Sequence, residues 1–543
     1  MQTLFGFFLA MSITMLLMPL LIRSAGPLRI MDIPEARKVH AAPVPRVGGI
    51  AMVAGIVTAL LVWDAGSRQI QALLLCIGVL LVFGVWDDRK NLSSGPKFAG
   101  QLIAVAVAII WGGVSIATMT GSERMALPEW VAVPLTVLFL LGGTNAFNLA
   151  DGLDGLAGGM AMLCLSGTAL LAFTVGKPAI GGVALIMIGA LVGFLRFNTH
   201  PARVFMGDGG SQVLGFSAAM LTVLLTQDPQ IPLSSALPLL LLGMPIIDTL
   251  MVLVERVLAH KSPFKADRRH IHHRLLALGF HHWEAVSILY LLQAGLFVAA
   301  WWLRYAPDVT VALVFVAFAT LVLAPIRFAE WRQLRVRHVA PGAWTQDQMI
   351  SVRGSLKAPR QLACGGVAVA LAVFAAWVLL RGAQPSRDLQ LLAVILGLAL
   401  SISLLLRRGK GDAGWLEKMA LYSSAALAVF LLKQSSAASP IPPLFECILF
   451  AALIVAVVVC IRTSKEGPFR ITPLDILVVV IVVTVPNLPD SIASTRSLGA
   501  AVAELVILFY ALETLSVAAR LRWRWLSGAA AVFLFALVVR AVV

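Results

Sequence analysis

The residues best suited to chemistry lie in five polar segments that alternate with long apolar runs. The segments extend from Asp32 to Gly49, from Asp87 to Lys97, from Asn145 to Leu156, from Arg203 to Ser211, and from Asp267 to Arg274. Their carboxylate and amide oxygens are ligands of the kind that Mg²⁺ prefers, and their basic side chains are donors for a diphosphate. This combination predicts phosphoryl or phosphosugar transfer, in which catalysis depends on positioning and charge neutralisation.

Closely spaced acidic and amide residues mark the second and third segments. Asp87 and Asp88 follow an apolar run, where two carboxylates are costly to desolvate unless a basic residue or a divalent metal lies near. Taken alone, this pair is equally consistent with a solvated helix end. In the third segment a polar residue recurs at every third position, at Asn145, Asn148, Asp151 and Asp154. On a helical turn, this spacing lines their oxygens along one side.

Glycines and histidines mark the fourth and fifth segments. Gly207 to Ser211 precedes an apolar run, so its glycines indicate either a helix cap or a phosphate or metal site at a helix N-terminus. The fifth segment holds His270, His272 and His273. A zinc tract lacks the usual accompanying ligands, and the flanking basic residues Arg268, Arg269 and Arg274 favour donors to a diphosphate. His281 and His282 are interpreted as interfacial residues of the next span.

The composition identifies the class of protein that carries these segments. Of 543 residues, 59% are hydrophobic and only 13% are charged, and the mean hydropathy is +0.92. A soluble domain is nearer half apolar and a quarter charged, so this chain has too little polar surface to be water-soluble. A soluble enzyme, a disordered chain and a disulfide-rich scaffold are thereby excluded. The net charge of +15 indicates basic loops on the inner side of a membrane rather than nucleic-acid binding.

Apolar runs of roughly the 20 residues that cross a bilayer predict an all-α, polytopic membrane protein. Eleven candidate spans lie near residues 4–22, 47–62, 70–86, 98–118, 131–147, 156–174, 178–195, 211–226, 236–254, 284–303 and 309–326. With the N-terminus outside, the inner loops hold 23 lysines and arginines and the outer loops hold 4. This asymmetry predicts that all five polar segments lie on the cytoplasmic face.

A second apolar region follows the eleven-span core. We expect residues 1–330 to form the core, residues 331–364 a cytoplasmic linker, and residues 365–543 an additional transmembrane region of unknown role. About seven further spans lie near 365–380, 389–406, 419–432, 443–461, 472–487, 499–517 and 526–543. An accessory module, a partner-binding platform and a lipid-handling element all remain open for this region.

Two residue types in the apolar runs lead to expectations of their own. Acidic residues inside a span suggest function by default, and the second region places five in or near its spans: Glu446, Asp475, Asp490, Glu504 and Glu513. The five cysteines fall in or beside apolar runs without a CxxC pair, at Cys76, Cys164, Cys364, Cys447 and Cys460. We expect these cysteines to be buried thiols that form neither a metal site nor a disulfide framework.

A family resemblance rests on six strings that occur in order: DIPEARKVH, PRVGG, DDRKN, NAFNLADGLDGLAGG, FMGDGGS and DRRHIHHRLLALGF. They resemble the polyprenyl-phosphate N-acetylhexosamine-1-phosphate transferases of glycosyltransferase family four, over roughly residues 1–330. The strings HIHHRL and NAFNLADGLDG are more similar to the branch that transfers N-acetylglucosamine 1-phosphate for O-antigen and related polymers. They are less similar to the branch that transfers phospho-N-acetylmuramoyl-pentapeptide.

This resemblance implies a reaction and a location. The substrates are a UDP-N-acetylhexosamine and undecaprenyl phosphate, the products are an undecaprenyl-diphospho-sugar and UMP, and the cofactor is Mg²⁺ or Mn²⁺. The setting is the bacterial inner membrane, with the active site on its cytoplasmic face, and a homodimer is left open. A usual member of the family ends near residue 330, so the resemblance does not account for the second region.

The resemblance also implies roles for individual residues. Asn148 and Asp208 match positions that hold the metal. The catalytic set comprises Asp87, Asp88, Asp151, Asp154, His272 and His273, of which the first two match the aspartates that activate or orient the lipid phosphate. The substrate-binding set comprises Arg37, Lys38, His40, Arg46, Asn145, Arg268 and His270.

A polytopic transporter or lipid flippase without transferase activity is the alternative interpretation. Transporter sites lie near the bilayer midplane on broken helices, often in repeated halves. Here the polar segments are expected at one membrane face, and the two regions do not resemble each other. A membrane-bound scaffold is the third alternative, and it would tolerate replacement of the aspartates.

Overall fold

A computed structural model describes most of the chain, and it is helical almost throughout. The described residues are 2–33, 43–63, 66–121, 124–260, 269–336, 357–406, 415–435, 444–463, 493–518 and 523–542. They form 19 helices and two short strand pairs, which confirms the prediction of an all-α polytopic membrane protein. They divide into two compact units, one within residues 2–336 and the other within residues 357–542.

The described residues of the first unit form thirteen helices. They are α1 (Gln2–Leu28), α2 (Gly48–Trp63), α3 (Arg68–Lys90), α4 (Ser94–Ile110), α5 (Glu129–Ala150), α6 (Leu156–Thr174), α7 (Pro178–Asn198), α8 (Gly207–Thr226), α9 (Leu237–Leu241), α10 (Gly243–Leu258), α11 (Ile271–Ala277), α12 (His282–Trp302) and α13 (Asp308–Trp331). Ten of the eleven predicted spans each fall on one of them, although α4 ends at Ile110 and not near residue 118, and the span near 236–254 falls on both α9 and α10. Eight of the thirteen are long and apolar enough to span a membrane.

Two short strand pairs connect the helices. The strands β1 (Met31–Asp32) and β2 (Val44–Pro45) are antiparallel, as are β3 (Thr118–Thr120) and β4 (Arg124–Ala126). The N–H of Phe205 donates to the carbonyl of Pro45 over 2.7 Å. The first polar segment is therefore fastened to the residues that lead into α8.

The core of the first unit is built from α6, α7 and α8, which are buried along nearly their whole lengths. These helices are apolar on all sides, as expected of helices enclosed by others in a membrane bundle. The predicted span near 236–254 is instead broken into α9 and α10 at Leu242. Gln293 of α12 stabilises this break, since its side chain accepts from the N–H of Met244 and donates to the carbonyl of Leu241.

Helices α3 and α8 approach each other closely at two glycines. A Cβ atom placed on Gly84 would lie only 2.2 Å from the Cα of Gly209 and 2.4 Å from its nitrogen. Backbone atoms cannot move away as a flexible side chain can, so only glycine fits at this position. This contact brings the C-terminal end of α3 to the N-terminal end of α8.

The second unit contains six described helices. They are α14 (Lys357–Arg381), α15 (Arg387–Leu406), α16 (Trp415–Ser435), α17 (Leu444–Thr463), α18 (Ala493–Ala518) and α19 (Trp523–Val542). They cover six of the seven spans predicted here, and the seventh, near 472–487, lies outside the described residues.

The prediction that no cysteine forms a disulfide is wrong. Cys364 of α14 and Cys460 of α17 are disulfide-bonded, with their Cα atoms 5.8 Å apart. The 96 residues between them explain the error, because only local cysteine spacing can be read from a sequence. Cys76 and Cys164 are buried free thiols as expected, whereas Cys447 is an exposed one.

Adding a single methyl group tests the contact between α3 and α8. We expect Gly84→Ala to lower the stability of the protein by about 1–3 kcal/mol, because the methyl group overlaps the backbone of Gly209. Gly78→Ala on the same helix is the matched control, since a Cβ there meets no atom within 4 Å. Thermal unfolding of the purified variants measures both effects, and equal melting temperatures would show that the helices do not meet at Gly84.

Candidate functional site

The end of α3 places Asp88 against the beginning of α8. Its carboxylate accepts hydrogen bonds from the N–H of Asp208 at 3.0 Å and from the N–H of Gly209 at 3.4 Å. A Cβ on Gly207, where φ is +72°, would lie 2.4 Å from Oδ2 of Asp88. The glycines of the fourth segment therefore allow an anionic group to bind at the N-terminus of α8, as the sequence suggested. In this structure that anionic group is the carboxylate of Asp88.

Lys97 of α4 joins two of the predicted carboxylates and was missed by the sequence analysis. Its Nζ atom forms an ion pair with Asp87 and lies 3.2 Å from Oδ2 of Asp208. Asp87 also accepts a hydrogen bond from the N–H of Leu92 at 2.7 Å, which fixes its carboxylate beside the end of α3. Because Lys97 and Asp87 lie in the same polar segment, their ion pair could have been predicted from the sequence. The contact of Lys97 with Asp208 could not, since the two residues are far apart in the chain.

The first polar segment contributes a second cation. Arg46 is ion-paired with Asp32 of β1, and its Nη1 atom lies 3.8 Å from Oδ1 of Asp88. The segment thus brings a guanidinium group to the carboxylates at the α3–α8 contact. Three other predicted substrate-binding residues of this segment, Arg37, Lys38 and His40, lie outside the described residues.

The third segment reaches the same place, but not as a continuous helix. Helix α5 ends at Ala150, and Asp151 has a non-helical backbone conformation. Only Asn145 and Asn148 therefore lie on a helix, and the expectation that all four polar residues line one helical side is wrong. The side chain of Asn148 donates to Oγ of Ser211 at 2.9 Å and is hydrogen-bonded to Asp208.

Asp151 lies in the turn between α5 and α6, in surroundings that disfavour its charge. Burial raises its pKa to about 7, and repulsion from Asp208 and Asp154 acts in the same direction, against a smaller opposing effect of Arg46. No hydrogen bond to its carboxylate comes from the residues that the structure describes. Asp151 is therefore an oxygen ligand available to a cation.

Asp154 is held differently, by two histidines. Its Oδ2 atom accepts from Nδ1 of His200 at 2.7 Å and from the N–H of Ala202 at 3.0 Å. The backbone N–H of Asp154 donates to Nε2 of His282 at 3.2 Å, and the two imidazole rings stack 4.2 Å apart. Burial opposes ionisation, but the hydrogen bond from His200 and the nearby charges outweigh it, so the pKa of Asp154 is lowered.

This arrangement corrects the interpretation of His282, which is a buried partner of Asp154 and not simply an interfacial residue. His200 was not identified from the sequence, because a single histidine before a proline carries no motif. One ligand atom from each of Asp154, His200 and His282 lies within 4.8 Å of the others, so the three could hold a metal ion.

The fifth segment packs its histidines against the turn that carries Asp151. Nε2 of His272 would lie 2.3 Å from a Cβ on Gly152, and this nitrogen has no hydrogen-bond partner among the described residues. Burial, aided by repulsion from the neighbouring histidines, lowers the pKa of His272 well below its usual range. His272 is therefore neutral near pH 7. Its ring stacks between those of His270 and His273, at centroid distances of 5.7 and 4.2 Å.

Two side chains around these histidines differ from expectation. Asp248 of α10 holds His270, since its carboxylate lies 2.9 Å from Nδ1 of that ring and accepts from the N–H of Ile271 at 2.7 Å. Arg274 is not available to a diphosphate, because only 6% of its side chain is exposed and it is bonded to Glu255 at 2.5 Å and Glu330 at 3.0 Å. Arg268 lies outside the described residues.

Beneath the carboxylates lies a cluster of three side-chain amides, here called the amide layer: Gln101 of α4, Asn145 of α5 and Gln212 of α8. Nε2 of Gln101 lies 3.2 Å from Oδ1 of Asn145 and 3.2 Å from Oε1 of Gln212, while Asn145 donates back to Gln101 at 2.9 Å. Asn145, predicted to bind substrate, therefore joins the three helices that carry Lys97, Asn148 and Asp208.

The assembled site is rich in oxygen donors. It brings together residues of all five polar segments, with Asp87, Asp88, Asn148, Asp151 and Asp208 around one point and His272 beside them. The described cations that contact these carboxylates are Lys97 and Arg46, so negative charge is in excess. Carboxylate and amide oxygens in excess negative charge fit a hard divalent cation such as Mg²⁺.

Comparison with known proteins shows that five oxygen-donor residues of the site lie within a region matched by a family model. The model of the family described as glycosyl transferase family 4 matches residues 70–226, which run from α3 to the end of α8. The matched region contains Asp87, Asp88, Asn148, Asp151 and Asp208.

Individual relatives are similar over more residues than the family model matches. The chain is 38% identical over 294 residues to a probable undecaprenyl-phosphate N-acetylglucosaminyl 1-phosphate transferase of Bacillus subtilis (strain 168), covering 53% of this chain and 81% of the relative. It is 32% identical to the decaprenyl-phosphate N-acetylglucosaminephosphotransferase of Mycolicibacterium smegmatis, covering 54% and 80%. It is 29% identical to the undecaprenyl-phosphate alpha-N-acetylglucosaminyl 1-phosphate transferase of Escherichia coli (strain K12), covering 53% and 80%.

The amide layer can be tested by removing its central member. Gln101→Leu leaves the polar atoms of Asn145 and Gln212 buried without their partner, so we expect a loss of about 1–3 kcal/mol in stability. We also expect Mg²⁺ to bind roughly 10-fold more weakly, because the helices that hold its oxygen donors lose their register. Thermal unfolding and metal titration measure the two effects. Gln230→Leu, at an exposed position, is the control, and equal behaviour of the two variants would contradict this role.

The raised pKa of Asp151 predicts a pH dependence of stability in metal-free buffer. A carboxyl group that holds its proton more tightly when folded stabilises the protein at low pH, and this stabilisation is lost as the pH rises from about 4 towards about 7. We expect Asp151→Asn, which cannot ionise, to melt at a higher temperature than the wild type at pH 8. The difference should shrink as the pH falls towards about 4, and a pH-independent difference would show that Asp151 is not desolvated.

Proposed function

Because the chain belongs to glycosyl transferase family 4, we propose that it transfers an N-acetylhexosamine 1-phosphate from a UDP-sugar to undecaprenyl phosphate. N-acetylglucosamine 1-phosphate is the first candidate, since this sugar appears in the names of the relatives from Bacillus subtilis, Mycolicibacterium smegmatis and Escherichia coli. The products are undecaprenyl-diphospho-sugar and UMP. The reaction would begin a cell-envelope polysaccharide, such as an O-antigen, on the cytoplasmic face of the inner membrane.

The observation that carries the proposal is the convergence of separate loops on the beginning of α8. Asp88 caps that helix, Lys97 bridges Asp87 and Asp208, and Asn148 bonds Asp208 from the neighbouring α5. Such a cluster is expensive to assemble at a membrane surface, and its carboxylates outnumber the described cations that contact them. It does suit a diphosphate, provided that a divalent cation mediates the contact.

Mg²⁺ is proposed as that cation, with Mn²⁺ as an alternative. Asp208, Asn148 and Asp151 would supply oxygen ligands, and Mg²⁺ usually shares the oxygens of a substrate phosphate. When bound, the metal would neutralise the charge of the nucleotide sugar's diphosphate and stabilise UMP as the leaving group.

The side chains of the site can position the second substrate. A phosphate monoester has its second pKa near 6, so undecaprenyl phosphate is largely a dianion at pH 7 and needs no general base. One of its oxygens forms a bond to the phosphorus of the sugar phosphate, and the bond from that phosphorus to the UMP oxygen breaks. Lys97 and Arg46 are placed to hold phosphate oxygens, while Asp87 and Asp88 orient these two cations.

A transporter or lipid flippase is the alternative function, and chemistry distinguishes it from a transferase. A carrier moves its substrate intact, whereas the proposed enzyme releases one UMP for each lipid that it glycosylates. A panel of UDP-sugars incubated with purified protein, undecaprenyl phosphate and Mg²⁺ tests both the activity and the sugar. UMP release that requires both the lipid and the metal excludes the carrier interpretation.

Replacing the carboxylates one at a time tests the site. We expect Asp87→Asn, Asp88→Asn and Asp208→Asn each to lower UMP release roughly 100-fold or more, because each removes a charge that positions Lys97, Arg46 or the metal. Asp228→Asn at the other end of α8 is the matched control, since Asp228 is paired with Lys177 away from the site.

The three variants should still insert into membranes and remain folded, as judged by thermal unfolding. Wild-type turnover in any of them, with the control also active, would refute the assignment of that residue. Wild-type turnover in all three would refute the proposed site as a whole.

A further inference from the structure

The second unit buries charged residues between two of its helices, outside the region that the family model matches. Helices α14, α15, α17 and α19 each contain a long apolar segment. Helices α16 and α18 instead face each other with ionisable side chains, Lys418 and Lys433 on the first and Glu504 and Glu513 on the second. Ionisable groups inside a membrane unit are expensive and commonly mark ion or substrate sites.

One group of these residues, here called the Lys433 centre, joins three helices. The Nζ atom of Lys433 lies 2.5 Å from Oε1 of Glu504 on α18 and 3.4 Å from Oε2 of Glu446 on α17. Trp377 of α14 donates its indole N–H to Oε1 of Glu446 at 3.1 Å. Glu446 and Glu504 are only 2% and 7% exposed, so the centre is shielded from solvent.

The Lys433 centre is not balanced in charge or in hydrogen bonding. Among the described residues it contains two carboxylates and one ammonium group, which leaves one surplus negative charge if both glutamates are ionised. Two acceptor atoms at the centre or next to it in sequence, Oε2 of Glu504 and Oε1 of Gln434, are buried without a partner among the described residues. A buried acceptor without a donor is destabilising, and so is an uncompensated buried charge.

The other ion pair between α16 and α18 has hydrogen-bond donors for both of its carboxylate oxygens. Lys418 lies 3.3 and 3.4 Å from the two carboxylate oxygens of Glu513, and Tyr422 donates its hydroxyl to the same carboxylate. Both oxygens of Glu513 are therefore satisfied. The surplus at the Lys433 centre is a property of that site and not of every ion pair in the unit.

We propose that the second unit binds a proton at Oε2 of Glu504, so that the Lys433 centre is a protonation site within the membrane. One proton cancels the surplus charge and removes the cost of a buried carboxylate oxygen that accepts from no donor, and no larger ligand is needed for either effect. Among the described residues, the titratable groups that face Glu504 are Lys433 from α16 and Glu446 from α17, while α14 presents the indole of Trp377 to Glu446. The centre consists of other residues than those proposed for phosphosugar transfer.

Infrared difference spectroscopy of the full-length protein, titrated between about pH 5 and about pH 9, tests this proposal over the range in which buried glutamic acids ionise. Because the carboxyl group of Asp151 also holds its proton towards neutral pH, the Glu504 band is identified by difference between variants. The wild-type spectrum should contain a C=O component of a protonated carboxyl group that is lost in Glu504→Gln and kept in Glu513→Gln, the matched control on the same helix. Identical C=O bands in folded wild-type protein and in Glu504→Gln would overturn the proposal.

A second variant keeps the test decisive if Glu504→Gln does not fold. In Glu446→Gln, Lys433 is paired with Glu504 alone, so the surplus charge is gone and Glu504 should release its proton at a lower pH, by about 1 unit or more. An unchanged midpoint would show that the two glutamates do not share the lysine. Loss of the band on addition of Na⁺ at constant pH would assign the centre to a metal cation instead.

Discussion

The first unit depends on how it stabilises one buried carboxylate, that of Asp88. Two backbone N–H groups at the beginning of α8 bond it, and the dipole of that helix favours a negative charge at its N-terminus. This contact requires α3 and α8 to touch at Gly84 and Gly209, and it leaves no room for a side chain at Gly207. The backbone contact between α3 and α8 therefore determines where the charged groups of the site lie.

Helical periodicity explains how the remaining donors are placed. Lys97 and Gln101 on α4, and Asp208 and Gln212 on α8, are four residues apart, so each pair lies on one helix face. In each pair the first residue faces the carboxylate cluster and the second faces the amide layer. The amide layer stabilises the same three helices whose ends form the site, so stability and function share one interface in this part of the molecule.

Much of this could be predicted from the sequence, and the rest could not for identifiable reasons. Hydropathy predicts the helices because each apolar run must be buried or face lipid, and the polar segments stand out against those runs. Gln101, His200 and Asp248 were missed because each is a single polar residue whose partner is distant in the chain; Gln101 and Gln212, for example, are 111 residues apart. Arg274 was misassigned because the sequence does not show that Glu255 and Glu330 neutralise it.

The two units bury carboxylates in different ways, and the difference bears on what each can bind. In the first unit several carboxylates share two cations, so more than one negative charge is left over and a divalent metal is the natural partner. At the Lys433 centre the surplus among the described residues is a single charge, and the orphaned carboxylate oxygen is that of Glu504, which matches one proton. Both proposed sites are built from carboxylates and basic side chains, so residue type alone does not distinguish a metal site from a protonation site. The number of surplus charges and the number of unsatisfied oxygens do.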